Sequence, residues 1–203
     1  MALLFTAATF WWLNARLGVL KSWEPQTYAM SLNRDYVRVR LPLVMYNTGA
    51  RPIVVLDLRM RFPDEPDAFW PLVWTGTSEE LMPKSADDVV APTGFAIAGR
   101  TAEQLVVSFT VPSPGFIPEV RDYQVVIEAV LGQRKLWQRV IRRDSRWQPF
   151  ARFGLRMGPM RYTGSFGAYS NSPLDLQMDT LRAPGDAMER LTLRLRDERR
   201  GSS

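Results

Sequence analysis

The chain contains no cysteine and no histidine, and only three of its 26 basic residues are lysine. Without cysteine there is no disulfide, no thiolate nucleophile and no thiolate metal ligand. Without histidine, the Ser-His-Asp and Cys-His arrangements and the common zinc ligand sets are excluded together. No lysine stands in a Ser-x-x-Lys frame, so a serine-lysine nucleophile is unsupported as well. At 203 residues, the chain is long enough to bury a core without covalent staples. The expectation is a non-enzymatic protein with no cofactor and no metal.

The net charge is +5, and the basic excess is nearly all arginine. That bias fits a GC-rich coding sequence as well as it fits a binding surface, so position is more informative than amount. Residues 134–161 carry nine basic residues against the single acid Asp144, a local charge of +8. The rest of the chain is net acidic.

Three regions follow from the patterning. Residues 1–22 read as a membrane-associated helix: ALLFTAATFWWL is apolar or weakly polar throughout, and only Asn14 and Arg16 interrupt its continuation to Leu20. Nineteen helical residues would reach about 28 Å, close to a hydrocarbon core of about 30 Å. A shorter insertion ending near Leu13 would leave Trp11 and Trp12 at headgroup level and let Arg16 extend outward. A cleaved signal peptide and a helix folded onto the domain are the competing readings. Arg16 and Lys21 follow the apolar run, which points the main domain of a single-pass cell-membrane protein to the cytoplasm.

Residues 27–141 alternate with period two, which predicts an all-β, immunoglobulin-like antiparallel sandwich of seven or eight strands. The strongest signal is DYVRVRLPLVMYNTGARPIVVLDLRMRF at 35–62, read as a hairpin turning at Asn47-Thr48-Gly49-Ala50. That register puts Val37, Val39, Leu41, Leu43 and Met45 opposite Met60, Leu58, Leu56, Val54 and Pro52, with Arg40 facing Asp57 and Arg38 facing Arg59. Further strands are expected near 28–32, 71–74, 94–99, 104–111, 122–130 and 134–141, the last two pairing around Leu131-Gly132. The Cys-Trp-Cys signature of antibody-type domains is absent, so the pattern gives an architecture and no family.

Residues 142–203 predict a basic, largely irregular tail, with a short helix over 186–199 capped by Asp186 and Glu189. Its arginines, interleaved with aromatics, suit an anionic lipid surface or a protein partner. Arg139, Arg142, Arg143, Arg146, Trp147, Arg152 and Arg156 are the candidate contacts. Single-stranded nucleic acid is a weaker alternative for the same segment. A different alternative is an extracytoplasmic carbohydrate- or ligand-binding module in which Trp70 and Trp74 stack on a sugar, although large aromatics in a sandwich more often line the core. The carboxylate pairs Glu79-Glu80 and Asp87-Asp88 and the Asp64-Glu65-Pro66-Asp67 loop read as solvated inter-strand loops rather than catalytic or calcium sites.

Overall fold

The computed structural model describes residues 2–65, 70–83, 88–113, 115–132, 146–158 and 166–171. An N-terminal helix α1 (Ala2–Phe10) runs into a π-helical turn (Trp11–Ala15), and among the described residues the named elements after it are all strands. The strands are β1 (Leu20–Ser22), β2 (Thr27–Leu32), β3 (Tyr36–Asn47), β4 (Ile53–Arg61), β5 (Leu72–Ser78), β6 (Phe95–Ile97), β7 (Ala102–Pro112), β8 (Asp122–Leu131), β9 (Trp147–Arg156) and β10 (Gly167–Ser170). All pairings are antiparallel and join in one curled sheet of order β10-β2-β3-β7-β5-β4-β8-β9, with β1 also on β3 and β6 also on β4. The ten strands exceed the seven or eight predicted.

The apolar alternation of β3 is realised in full: Val37, Val39, Leu41, Leu43 and Met45 are completely buried. They meet Val107, Phe109 and Val111 of β7, Leu58 and Met60 of β4, Tyr123, Val125 and Ile127 of β8, and Phe153 and Leu155 of β9 in one core. Along one edge of β3, β2 pairs with residues 37–40 and β1 with 45–47. The break between them coincides with Pro42, which has no N–H to give a ladder.

The predicted 35–62 hairpin does not form. β3 pairs with β1, β2 and β7, while β4 pairs with β5, β6 and β8, so the chain crosses between the two halves of the sheet at residues 48–52. The predicted facing of Leu56 into the core also fails. A bulge between Val55 and Asp57 shifts the phase of β4, so that Ile53, Val55, Leu58 and Met60 are buried and Leu56 is exposed. Arg59 is relieved by Glu128, directly opposite it on β8 at 2.5 Å, with Arg61 on the carboxylate's other oxygen.

The second predicted hairpin is also replaced. Both edges of β8 are occupied, by β4 and by β9, and Glu128 and Val130 face Pro149 and Trp147. The segment 134–141 lies wholly outside the described residues. Two pieces of the predicted irregular tail are strands: β9 buries Ala151, Phe153 and Leu155 and turns Arg152 and Arg156 outward. Period-two alternation across 151–156 is present in the sequence, but Pro149 and Gly154 mask it. Pro149 is tolerated because a register shift between Ile127 and Glu128 accommodates it. The helix expected at 186–199 lies outside the described residues.

The two ends of the strand order are stitched together, which curls the sheet. Asn171, just past β10, accepts from Arg156 N and donates to Gly154 O and Pro25 O, while its backbone N–H donates to Gln26 O. Tyr28 of β2 adds a 2.6 Å bond from its hydroxyl to Arg156 O and stacks on Tyr169 of β10. At the start of β8, buried Tyr123 accepts at its hydroxyl from Glu119 N, and its ring meets Phe62 and Phe116 edge-on.

Candidate functional site

The helix carries the least ordinary surface of the molecule. Leu3, Leu4, Phe5, Phe10, Trp11, Trp12 and Leu13 are all exposed, from 49% to 86%. The predicted packing of this helix onto the domain, one of the alternatives, is therefore not what the described residues form. No helix among them is long and apolar enough to cross a membrane. Fourteen helical residues reach about 20 Å, short of the roughly 30 Å hydrocarbon core.

The base of the helix is held firmly. Arg16 N donates to Trp11 O at 3.0 Å, closing the π turn, and Asn14 Nδ2 donates to Phe10 O. The following residues lie against the β3–β4 crossing. Arg16 O accepts from the N–H groups of Ala50 and Arg51, and Thr48 exchanges bonds with Val19 through both its backbone and its hydroxyl. Gly18 and Gly49 touch backbone to backbone, so that a Cβ on either would collide with the other segment. Buried Asn47 organises the crossing from beneath. Its Nδ2 donates to Arg51 O, Ile97 O and Ala98 O, and its Oδ1 accepts from Gly49 N.

Two arginine side chains meet at the helix end, and a third arginine is tied to them through its backbone. The Arg16 guanidinium lies 4.1 Å from the Trp12 ring centroid, and Arg100 Nη2 donates to Trp12 O at 2.6 Å, taking one of the carbonyls left open at the helix end. Arg51, exposed, begins the segment that leads into β4. Among the described residues none of the three makes an ion pair. Arg51 and Arg100 were not foreseen as site residues. They lie far from Arg16 in sequence, and only the crossing brings them to it.

The residues singled out in advance are dispersed. Arg139, Arg142 and Arg143 lie outside the described residues. Arg146 is exposed just before β9, Arg152 is exposed on it, and Arg156 is paired with Asp122 at 3.3 Å. Trp147 is half-buried beneath Arg59, whose guanidinium lies 4.3 Å from its ring centroid. Trp70 and Trp74 do not form an exposed pair. Trp74 is buried, donates from Nε1 to Gly76 O and meets Phe95 edge-on, whereas Trp70 is exposed ahead of β5.

A cleft of about 670 Å³ lies at the ends of β5 and β7, with Glu79, Glu80 and Asp88 at its wall. Among the described residues no group of three metal-ligating side chains converges, there or elsewhere. No known protein family matches the chain, and no curated protein is detectably similar to it.

Proposed function

We propose that this is a non-enzymatic, membrane-attached interaction protein whose N-terminal helix inserts into the near leaflet and carries an immunoglobulin-like sandwich at the membrane surface. The observation that carries the reading is the helix itself, an apolar segment exposed along its length yet mounted by backbone hydrogen bonds at its base. A contiguous apolar surface of this kind marks a contact with lipid or protein. Its dimensions favour insertion over spanning, with Trp11 and Trp12 at headgroup depth where their amphipathic rings are favoured. The basic residues on the domain side of the helix favour the cytoplasmic face.

Strand order supports the immunoglobulin-like reading. β2-β3-β7-β5 in one half and β4-β8-β9 in the other follow the ABED and CFG order of constant-type domains. Tyr123, bonded to the backbone four residues upstream at the start of β8, stands where such domains carry their tyrosine corner. The basic segment contributes less than its charge suggests, since Arg156 is already paired and Trp147 is already covered.

The test is flotation with lipid vesicles. The full chain should float with them, and the double variant Leu4→Glu/Phe10→Glu, which alters only exposed positions, should stay behind. If both remain unbound, the helix docks on protein and the membrane reading is wrong.

A further inference from the structure

The three arginines at the helix base have a geometry that insertion alone does not require. Arg100 is the only non-glycine residue with positive φ among the described residues, at 59°. A left-handed backbone is disfavoured for an ordinary side chain, and glycine would adopt it freely. An arginine therefore occupies a strained turn position from which its guanidinium reaches the helix end at Trp12 O. Strain held by the surrounding structure is a pointer to function. Arg51 is tied to Arg16 through the backbone, its N–H and that of Ala50 donating to Arg16 O, its side chain is exposed, and the three cations stand without a carboxylate partner among the described residues. Leu17 and Val19 are exposed beside them.

We propose that Arg16, Arg51 and Arg100 form a collar that binds the phosphate groups of anionic phospholipids when the helix inserts, so that the β3–β4 crossing faces the leaflet. This rests on the attachment reading above and adds the lipid class to it. Depth and charge coincide: Trp11 and Trp12 mark the boundary between acyl chains and headgroups, the Arg16 and Arg100 guanidiniums lie at the level of Trp12, and Arg51 follows through its backbone bond to Arg16. Guanidinium groups match phosphate in a bidentate fork, which suits arginine here better than lysine. The Gly18–Gly49 contact keeps the collar from tilting away from the helix.

The experiment titrates the full chain and the triple variant Arg16→Gln/Arg51→Gln/Arg100→Gly against phosphatidylcholine vesicles with and without phosphatidylglycerol. Glycine at position 100 relaxes the positive φ, and an unchanged thermal midpoint verifies that the variant is folded. On anionic vesicles at low salt the variant should bind about a hundredfold more weakly, at a factor of about five per basic residue near the headgroups. On phosphatidylcholine alone, where the choline ammonium offsets the phosphate charge, the two should differ far less. The wild-type preference for anionic lipid should also fall steeply as salt is raised, and the variant, which keeps the basic residues of 134–161, should respond more weakly. Equal binding of both proteins to anionic vesicles overturns the collar and leaves the inserted helix standing. The same loss from Arg146→Gln/Arg152→Gln would assign the effect to diffuse charge and overturn it too. Wild-type protein that ignores both vesicle types, or that self-associates through the helix instead, overturns the attachment and the collar together.

Discussion

Helix α1 and strand β3 are both rich in large apolar side chains, and the fold treats them in opposite ways. Every inward residue of β3 from Val37 to Met45 is sealed, whereas the large apolar residues of the helix and its π turn are about half exposed or more. Burial of apolar area is the main favourable contribution to folding, about 25 cal/mol per Å². A chain that closes its core this completely, down to stitching its two outer strands through Asn171, has the means to cover a helix. It instead fixes the helix base with backbone bonds and leaves the side chains out. The difference separates apolar residues that hold the domain together from apolar residues offered to another phase.

The comparison breaks most directly by truncation on each side. Leu41→Ala should cost about 2–5 kcal/mol in a urea titration, the range for a fully buried leucine. Leu4→Ala should fall within about 0.5 kcal/mol of wild type, as an exposed position does. Leu56→Ala belongs with Leu4, because the β4 bulge turns it to solvent. Equal losses at Leu41 and Leu4 would mean that the helix is covered in solution.

A smaller effect tests the seam. Tyr28 is buried, its hydroxyl donates to Arg156 O, and burial with Tyr169 alongside raises its pKa well above the ordinary tyrosine value, outweighing the Gly158 amide, which acts in the opposite direction. A raised folded-state pKa means that the folded form holds its proton more tightly than the unfolded one. Its contribution is complete below the unfolded value of about 10 and is lost as pH rises through the folded value. Stability should therefore decline above about pH 10, and Tyr28→Phe should flatten that limb while costing about 1 kcal/mol at neutral pH for the missing bond. An alkaline limb of unchanged slope would assign the titration to another group.

How much of this was legible in the sequence depended on range. Alternation located β3, β7 and β8 closely, because one face of each meets the core and period two is a local property. Partnership was not local. Asn47-Thr48-Gly49-Ala50 has hairpin chemistry, yet Gly49 serves a close contact with Gly18 and Asn47 holds the strand crossing, and neither role leaves a mark in a nearest-neighbour reading. A single bulge reversed Leu56, which no alternation count detects. The helix was legible as apolar, but its collar was not, since Arg51 and Arg100 join Arg16 only through the crossing. The basic run misled for the complementary reason: charge density says nothing of pairing, and β9 commits Arg156 to Asp122.

The last contrast concerns a cation on the β3 strand itself. Arg40 is buried, its Nε donates to Ser108 Oγ at 3.2 Å, and its guanidinium lies 3.8 Å from the Phe166 ring centroid. Burial and the neighbouring Arg38 both lower its pKa, and among the described residues no carboxylate pairs with it. A buried charge held by a hydroxyl and an aromatic face gives little net stability, because desolvation offsets what those contacts contribute. Arg40→Met keeps much of the volume and removes both the desolvation and the repulsion from Arg38. Its stability should fall within about 1 kcal/mol of wild type, on the stabilising side at low salt, with the difference narrowing as salt screens the pair. The collar arginines should behave oppositely, leaving stability alone and changing lipid affinity. A loss above about 2 kcal/mol for Arg40→Met would reveal a counter-charge on that guanidinium, since breaking a satisfied buried pair is what carries a cost of that size.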